Sequence, residues 1–223
     1  MATLSPSTQT DGQRPFVLLP SRAVIDLANP DPASWTDQDL AIGLSRTLRW
    51  GGHSAWPRPL SVAQHSLTVL AIRLADDPTI EPAEALYELL HDAEEGLLGF
   101  DCIAPLKPFL GKPFATLCQN LIAAIAMRYQ LPVLSPAQHA IHKAADTLAA
   151  ASEALHVVRW SPDDIRSVLQ ITVRPLLPDP LETGAYAPWE PWPSEYAADR
   201  WLTCLNRYRS DQANETDPAR LVR

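Results

Sequence analysis

Apolar residues recur every three to four positions along most of the chain, and polar, proline-rich joints separate the runs, a pattern that predicts helices. Thr36-Asp37-Gln38-Asp39 leads into Leu40-Ala41-Ile42-Gly43-Leu44 and predicts a helix running to Leu48. Ser61-Val62-Ala63-Gln64 reads as a capping box, in which hydroxyl and side-chain amide each satisfy a free first-turn N–H, and it opens His65 to Leu74. Ser135-Pro136-Ala137-Gln138 is a second box, with proline at the first helical position, opening an alanine-rich run to about His156. Ser161-Pro162-Asp163-Asp164 and Pro193-Ser194-Glu195 open two more, the last expected over Glu195 to Arg207. The runs Ala85 to Glu95 and Pro113 to Tyr129 read as further helices. Nothing alternates with period two for long enough to predict a strand. The expected fold class is all-α, a single helical bundle.

The punctuation sets the expected boundaries. Residues 1–23 are polar and aperiodic and read as a flexible arm, residues 24–209 as one domain, and residues 210–223 as a flexible polar tail. Pro175 to Pro193 holds six prolines and reads as a loop before the last helix.

Composition narrows the classes of function. A chain of 223 residues is long enough to bury most of its apolar side chains in one core. A formal net charge of −8 argues against a groove for polymeric nucleic acid, which needs a basic face, but not against small anions held by a metal and a few local cations. Cys102, Cys118 and Cys204 are odd in number and widely spaced, as expected of reduced thiols and not of a disulfide framework. No apolar run approaches the roughly 20 residues of a membrane span, and no secretory signal is visible. A cytoplasmic protein without a membrane partner is expected, and one that forms a homo-oligomer.

Against this background four polar intrusions stand out. His91-Asp92 interrupts Ala85-Leu86-Tyr87-Glu88-Leu89-Leu90, where a helix would present leucines to a core, and Glu95 follows four residues later, expected on the same helix face. His65 lies in a second apolar run and Asp146 in a third. Burying such groups is unfavourable unless they are paired or bound to a metal. A lone histidine on an apolar helix is more often a satisfied core residue, and Asp146 alone reads equally well as an exposed helix residue. Three separate accidents are needed to explain all four. Imidazole with carboxylate and no thiolate suits magnesium or a first-row divalent ion.

The order His65, His91-Asp92, Asp146 resembles the H…HD…D signature of the HD-domain metal-dependent phosphohydrolases. The words Ser61-Val62-Ala63-Gln64-His65-Ser66, Leu90-His91-Asp92-Ala93-Glu94-Glu95 and Ala104-Pro105-Leu106-Lys107 resemble the bacterial 5′-deoxynucleotidase (YfbR-like) branch, which includes phage enzymes that destroy dATP. The resemblance implies an HD-domain bundle over residues 24–209. It implies that His65, His91, Asp92 and Asp146 coordinate one divalent ion (Mn, Co, Zn, Mg or Fe), and that Glu95 positions or deprotonates the attacking water. It also implies that Arg49 and Trp50 contact phosphate and nucleoside, that Lys107 contacts phosphate, and that Asp101 senses the sugar. One departure is visible: the family's Gly-Asp pair is here split as Gly99-Phe100-Asp101. His53, in the Gly51-Gly52-His53 turn, is expected near the pocket entrance as a phosphate or base contact and not as a ligand.

These roles agree with the chemistry of phosphate esters. Arginine recognises phosphate through two planar donors, lysine as a point charge, and a carboxylate one turn from a ligand is of the right class for a general base. A tryptophan at a helix end can stack on a base but serves equally well as packing. The expected activity is release of phosphate from 5′-deoxynucleoside monophosphates, a small-molecule nucleotide being the partner. The first alternative is a deoxynucleoside triphosphate triphosphohydrolase, for which Arg46, Arg58 and Lys112 offer extra cations. The second is a catalytically silent nucleotide-binding regulator, and the third a metal-stabilised scaffold. His139, His142 and His156 share no face suited to a further metal, and Trp189, Trp192 and Trp201 are expected to pack the last helix onto the body.

Overall fold

Thr36 starts the helical body as its sequence predicts: its hydroxyl accepts from the Asp39 N–H at 3.0 Å, and the Asp39 carboxylate accepts from the Thr36 N–H at 2.9 Å. The computed structural model describes residues 14–103, 106–181 and 184–215. Among them the order is β1 (Phe16–Leu18), β2 (Val24–Asp26), α1 (Asp37–Arg46), a 3-10 turn (Arg49–Gly52), α2 (Val62–Asp76), α3 (Pro82–Leu90), α4 (Ala93–Leu98), α5 (Lys107–Tyr129), α6 (Pro136–His156), α7 (Pro162–Ser167) and α8 (Ser194–Glu215). The protein is mostly helical, as expected.

Helix α1 packs on α4 and α8, α3 on α8 and α2, and α2 on α6. Their shared core holds Leu40, Leu44, Leu86, Leu89, Leu121 and Trp201, each wholly buried and each worth about 1.5–3 kcal/mol for the smaller side chains. The α1–α4 crossing is closed by two glycines. A Cβ on Gly43 would run into the Gly96 carbonyl oxygen, and one on Gly96 would meet Leu44 Cγ at 2.7 Å. That approach holds the first turn of α4 against the end of α1, where Thr47 Oγ1 donates to the Glu95 carbonyl at 3.3 Å.

Several expectations need correction. The arm placed at 1–23 contains β1, which pairs antiparallel with β2, Val17 opposite Ile25. Ile25 is fully buried, so the folded body starts ahead of residue 24. Strands of three residues are too short to show an alternating pattern. Helix α8 runs on to Glu215, past both Arg207 and the expected domain end at 209. Helix α1 ends at Arg46 and not at Leu48, whereas α5 begins six residues early and passes through Gly111, whose φ of 71° lies outside helical space. At Ser61 only half a box forms: its hydroxyl caps the Gln64 N–H at 3.2 Å, but the Gln64 side chain bonds the Glu190 carbonyl and the Trp192 N–H instead. The boxes at Ser135 and Ser161 are complete.

Residues 1–13 of the expected arm, residues 216–223 of the expected tail, and Ala104-Pro105 lie outside the described residues. Helix α5, by length and composition alone, is long and apolar enough to cross a membrane, contrary to the expectation that no such run exists; Leu121, Ala124, Ile125 and Tyr129 nevertheless bury one side of it in the bundle. Cys102, Cys118 and Cys204 are free thiols.

Candidate metal centre

The expected unbroken helix from Ala85 to Glu95 breaks at the pair that matters most. Helix α3 ends at Leu90, Asp92 leaves helical space (φ −112°, ψ 23°), and α4 restarts at Ala93 with Asp92 at its N-cap position. Glu95 therefore does not reach the site along one face shared with His91; it sits in the first turn of a second helix. His65 comes from the first turn of α2 and is fully buried, and Asp146 comes from the middle of α6.

All four expected ligands meet. His65 Nε2 lies 3.3 Å from His91 Nε2, 3.6 Å from Asp92 Oδ2 and 3.4 Å from Asp146 Oδ1. His91 Nε2 lies 3.3 Å from Asp92 Oδ2 and 3.9 Å from Asp146 Oδ1. With metal–ligand bonds of ~2.0–2.2 Å, donors around a tetrahedral ion stand ~3.3–3.6 Å apart, and four of these five separations fall in that range. The ring orientations agree. His65 Nδ1 faces Glu153 Oε1 at 2.6 Å, and His91 Nδ1 donates to the Glu88 carbonyl at 2.7 Å. With a proton held at each Nδ1, both Nε2 atoms face two carboxylates, an arrangement that a proton or a cation between them relieves. The residues present fit a divalent ion.

The electrostatics describe the same appetite for positive charge. Burial and the Arg49 charge pull the His65 imidazole down, yet Glu153 and the bonds to Asp146 and Glu153 carry it up to about 10. His91 is also raised, burial being outweighed by Asp92. Burial would lift the Asp92 carboxyl, but His91, His65 and Arg49 hold it far below the usual carboxylate range, and His65 does the same for Asp146. Glu95 is pushed up to about 10 by burial and by the charges of Asp92 and Asp101.

Around this cluster stand the remaining candidates. Arg49 is placed by an isolated bridge pairing Leu48 with Ser61, and its own N–H bonds the Leu60 carbonyl at 2.9 Å, which sets it beside the start of α2 and not on a helix end. Its guanidinium faces Asp92 at 3.6 Å, Asp101 at 3.5 Å and Glu153 at 3.5 Å. Asp101, despite the displaced spacing, is thus part of the site. Lys107 lies 3.9 Å from Glu95 and is half exposed. Among the described residues Arg49 Nε and one oxygen each of Glu94 and Glu95 are buried with no hydrogen-bond partner. Trp50 adopts φ 59°, a left-handed conformation rare for an aromatic residue; its indole N–H donates to Glu153 at 3.1 Å and its ring packs near Trp160. These contacts favour the packing role for Trp50. His53 is exposed on the same turn, and among the described residues no hydrogen bond or ion pair ties its imidazole to the cluster.

Sequence reasoning missed four participants. Glu153 is buried and bonds His65, and its place two helical turns after Asp146 on α6 was the available signal. Glu88 accepts from Arg73 Nε at 3.0 Å and pairs with His142 Nδ1 at 2.6 Å, so the histidine dismissed from the α6 face is tied beside His91, with ring centroids 5.0 Å apart. Lys143, half exposed, reaches Asp146 at 2.6 Å from one turn before it. Of the tryptophans, Trp192 and Trp201 join the core as expected, whereas Trp189 stacks on His156.

Comparison with known proteins adds kinship without a role. No family model matches the chain. An uncharacterized protein of Rhodobacter capsulatus is 40% identical to it over 139 residues, which make up 61% of this chain and 70% of that protein. Similarity of that degree and extent means that the chain belongs to the same family as the Rhodobacter capsulatus protein.

Proposed function

We propose that the chain is an HD-domain metal-dependent phosphohydrolase whose substrates are nucleotides, with 5′-deoxynucleoside monophosphates as the favoured class. The observation that carries this reading is the convergence of His65 Nε2, His91 Nε2, Asp92 Oδ2 and Asp146 Oδ1 at 3.3–3.9 Å, with a buried carboxylic acid and a buried guanidinium against them. A divalent ion held by these four side chains would supply positive charge for the phosphate and lower the pKa of a bound water. Arg49 binds and orients phosphate through its guanidinium, with Asp92, Asp101 and Glu153 fixing its direction. Lys107, beside Glu95, adds a point charge. Glu95 accepts the proton of the attacking water at its carboxylate, a role for which positive charge beside Asp92 would prepare it by favouring its ionised form.

One observation favours the triphosphate alternative. Lys143 stands at the rim as a third cation, able to take phosphates beyond the first. Arg58 is instead committed to Glu190 at 2.6 Å, and Arg46 lines a groove between α1 and α8. Phosphate release should be measured over deoxynucleoside mono- and triphosphates with Mn, Co, Mg and Zn. Free phosphate from monophosphates is the expected product, intact triphosphate is the product of the alternative, and neither from any nucleotide by metal-loaded protein overturns both.

A further inference from the structure

Helix α6 grips one imidazole at both ends. Asp146 Oδ1 lies 3.4 Å from His65 Nε2, and Glu153 Oε1, on the same helix face two turns later, lies 2.6 Å from His65 Nδ1. Glu153 is 1% exposed, and its second oxygen accepts from the Trp50 indole at 3.1 Å and faces Arg49 at 3.5 Å. Among the described residues His91 has no such carboxylate partner; its Nδ1 meets the neutral Glu88 carbonyl. We propose that Glu153 is the positioning residue of this centre: its carboxylate fixes the His65 proton at Nδ1, so that Nε2 stays an electron-pair donor, and the same carboxylate ties the Arg49–Trp50 turn to that ligand.

This inference rests on the metal reading of His65. Its physical basis is general. A carboxylate behind a ligating imidazole sets the tautomer, locks the ring plane and raises the basicity of the other nitrogen. The second link has a cost that supports it. Trp50 holds a left-handed backbone conformation that costs strain, and the bond to Glu153 is the side-chain hydrogen bond that ties its indole there, beside the His53 N–H bond to its carbonyl. One buried charge therefore orients a ligand, an indole and a guanidinium.

The test titrates the full chain with Zn²⁺ alone, as wild type, Glu153→Gln and Glu153→Ala, and records ¹⁵N-histidine spectra of the zinc-loaded proteins. The glutamine keeps the shape and the hydrogen-bonding capacity, so it guards against a variant that merely fails to fold. We expect zinc affinity to fall on the order of 10- to 100-fold in Glu153→Ala and by less in Glu153→Gln. The strongly hydrogen-bonded His65 Nδ1 proton of the wild type should shift in the glutamine variant and vanish in the alanine one. A residue that only fills space would leave the glutamine spectrum unchanged. Wild type that binds zinc beside variants of equal affinity and identical His65 signal overturns the role of Glu153 and leaves the metal reading standing. Wild type that takes up no zinc overturns both.

Discussion

Helices α5 and α6 follow one another and are nearly equal in length, 23 and 21 residues, yet they meet water in opposite ways. Helix α5 is the more apolar and leaves Phe109 86% and Met127 72% exposed. Helix α6 is richer in polar side chains and buries His142 and Glu153, with Asp146 between them at the cluster. Burying charge is costly unless each group finds a partner, and on α6 each does: Glu88 for His142, His65 for Glu153, His65 and Lys143 for Asp146. Hydrophobicity thus fails to rank the two helices by burial. What fixes α6 in the interior is the set of partners waiting on α2 and α3, whereas the charged pairs of α5, Lys107 with Glu95 and Arg128 with Asp37, lie at its two ends.

The sharpest way to break the contrast is to remove a ligand from the α6 side. Asp146→Ala, like His91→Ala or Asp92→Ala, should abolish bound metal and turnover together and lower the melting temperature of metal-loaded protein; full turnover by Asp146→Ala in the presence of a chelator would sink the assignment. Glu95→Ala comes next. It should keep the metal and lose on the order of 10² to 10⁴ in kcat, and metal lost along with the activity would make Glu95 a ligand. Arg49→Ala should lower kcat/KM for every nucleotide by roughly 10- to 150-fold, the equivalent of about 1.5–3 kcal/mol for a charge-assisted contact, with little dependence on the base. Unchanged kinetics would mean that its guanidinium does not meet phosphate.

The two smallest effects compare the helices directly. Ala149 is fully buried against Val69 and Ile72 of α2, so Ala149→Leu should overpack that seam and cost about 1–3 kcal/mol in denaturant unfolding. Met127→Gln on the exposed side of α5 should stay within about 0.5 kcal/mol of wild type. Equal losses from both substitutions would show that α5 is as tightly covered as α6.

Much of this was legible in the sequence. Caps at Thr36, Ser135 and Ser161 act within four residues, so they can be read locally and they start helices where expected. The four side chains that converge were legible because polar residues are conspicuous among leucines and alanines, and their order resembles a known signature. The break at Asp92 was not legible. Asp92 followed by Glu95 is compatible with a helix start, but the apolar run on either side reads as continuous, and the bend shows in the φ and ψ of Asp92. Gln64 shows the same limit from the other side: a local rule offered it the Ser61 cap, and a loop 126 residues away took it. Glu153 was hidden because its partner is 88 residues distant, and a lone glutamate on an alanine-rich helix reads as a solvated one.

That distance bears on the order in which the molecule can assemble. The contact between His65 and His91 closes a loop of 26 residues, but that between His65 and Glu153 closes one of 88. Each doubling of a loop adds only about 0.6 kcal/mol of closure entropy, so the penalty at equilibrium is slight. The kinetic consequence is larger, because contacts between distant parts of a chain form slowly and come after local helices. An ion arriving early would find only the α2–α3 half of its receptacle, two imidazoles and one carboxylate, with neither Asp146 nor the carboxylate that orients His65. On the proposed metal reading, loading would be a late event in the life of each newly made chain, and metal uptake would report the completion of the fold and not its beginning.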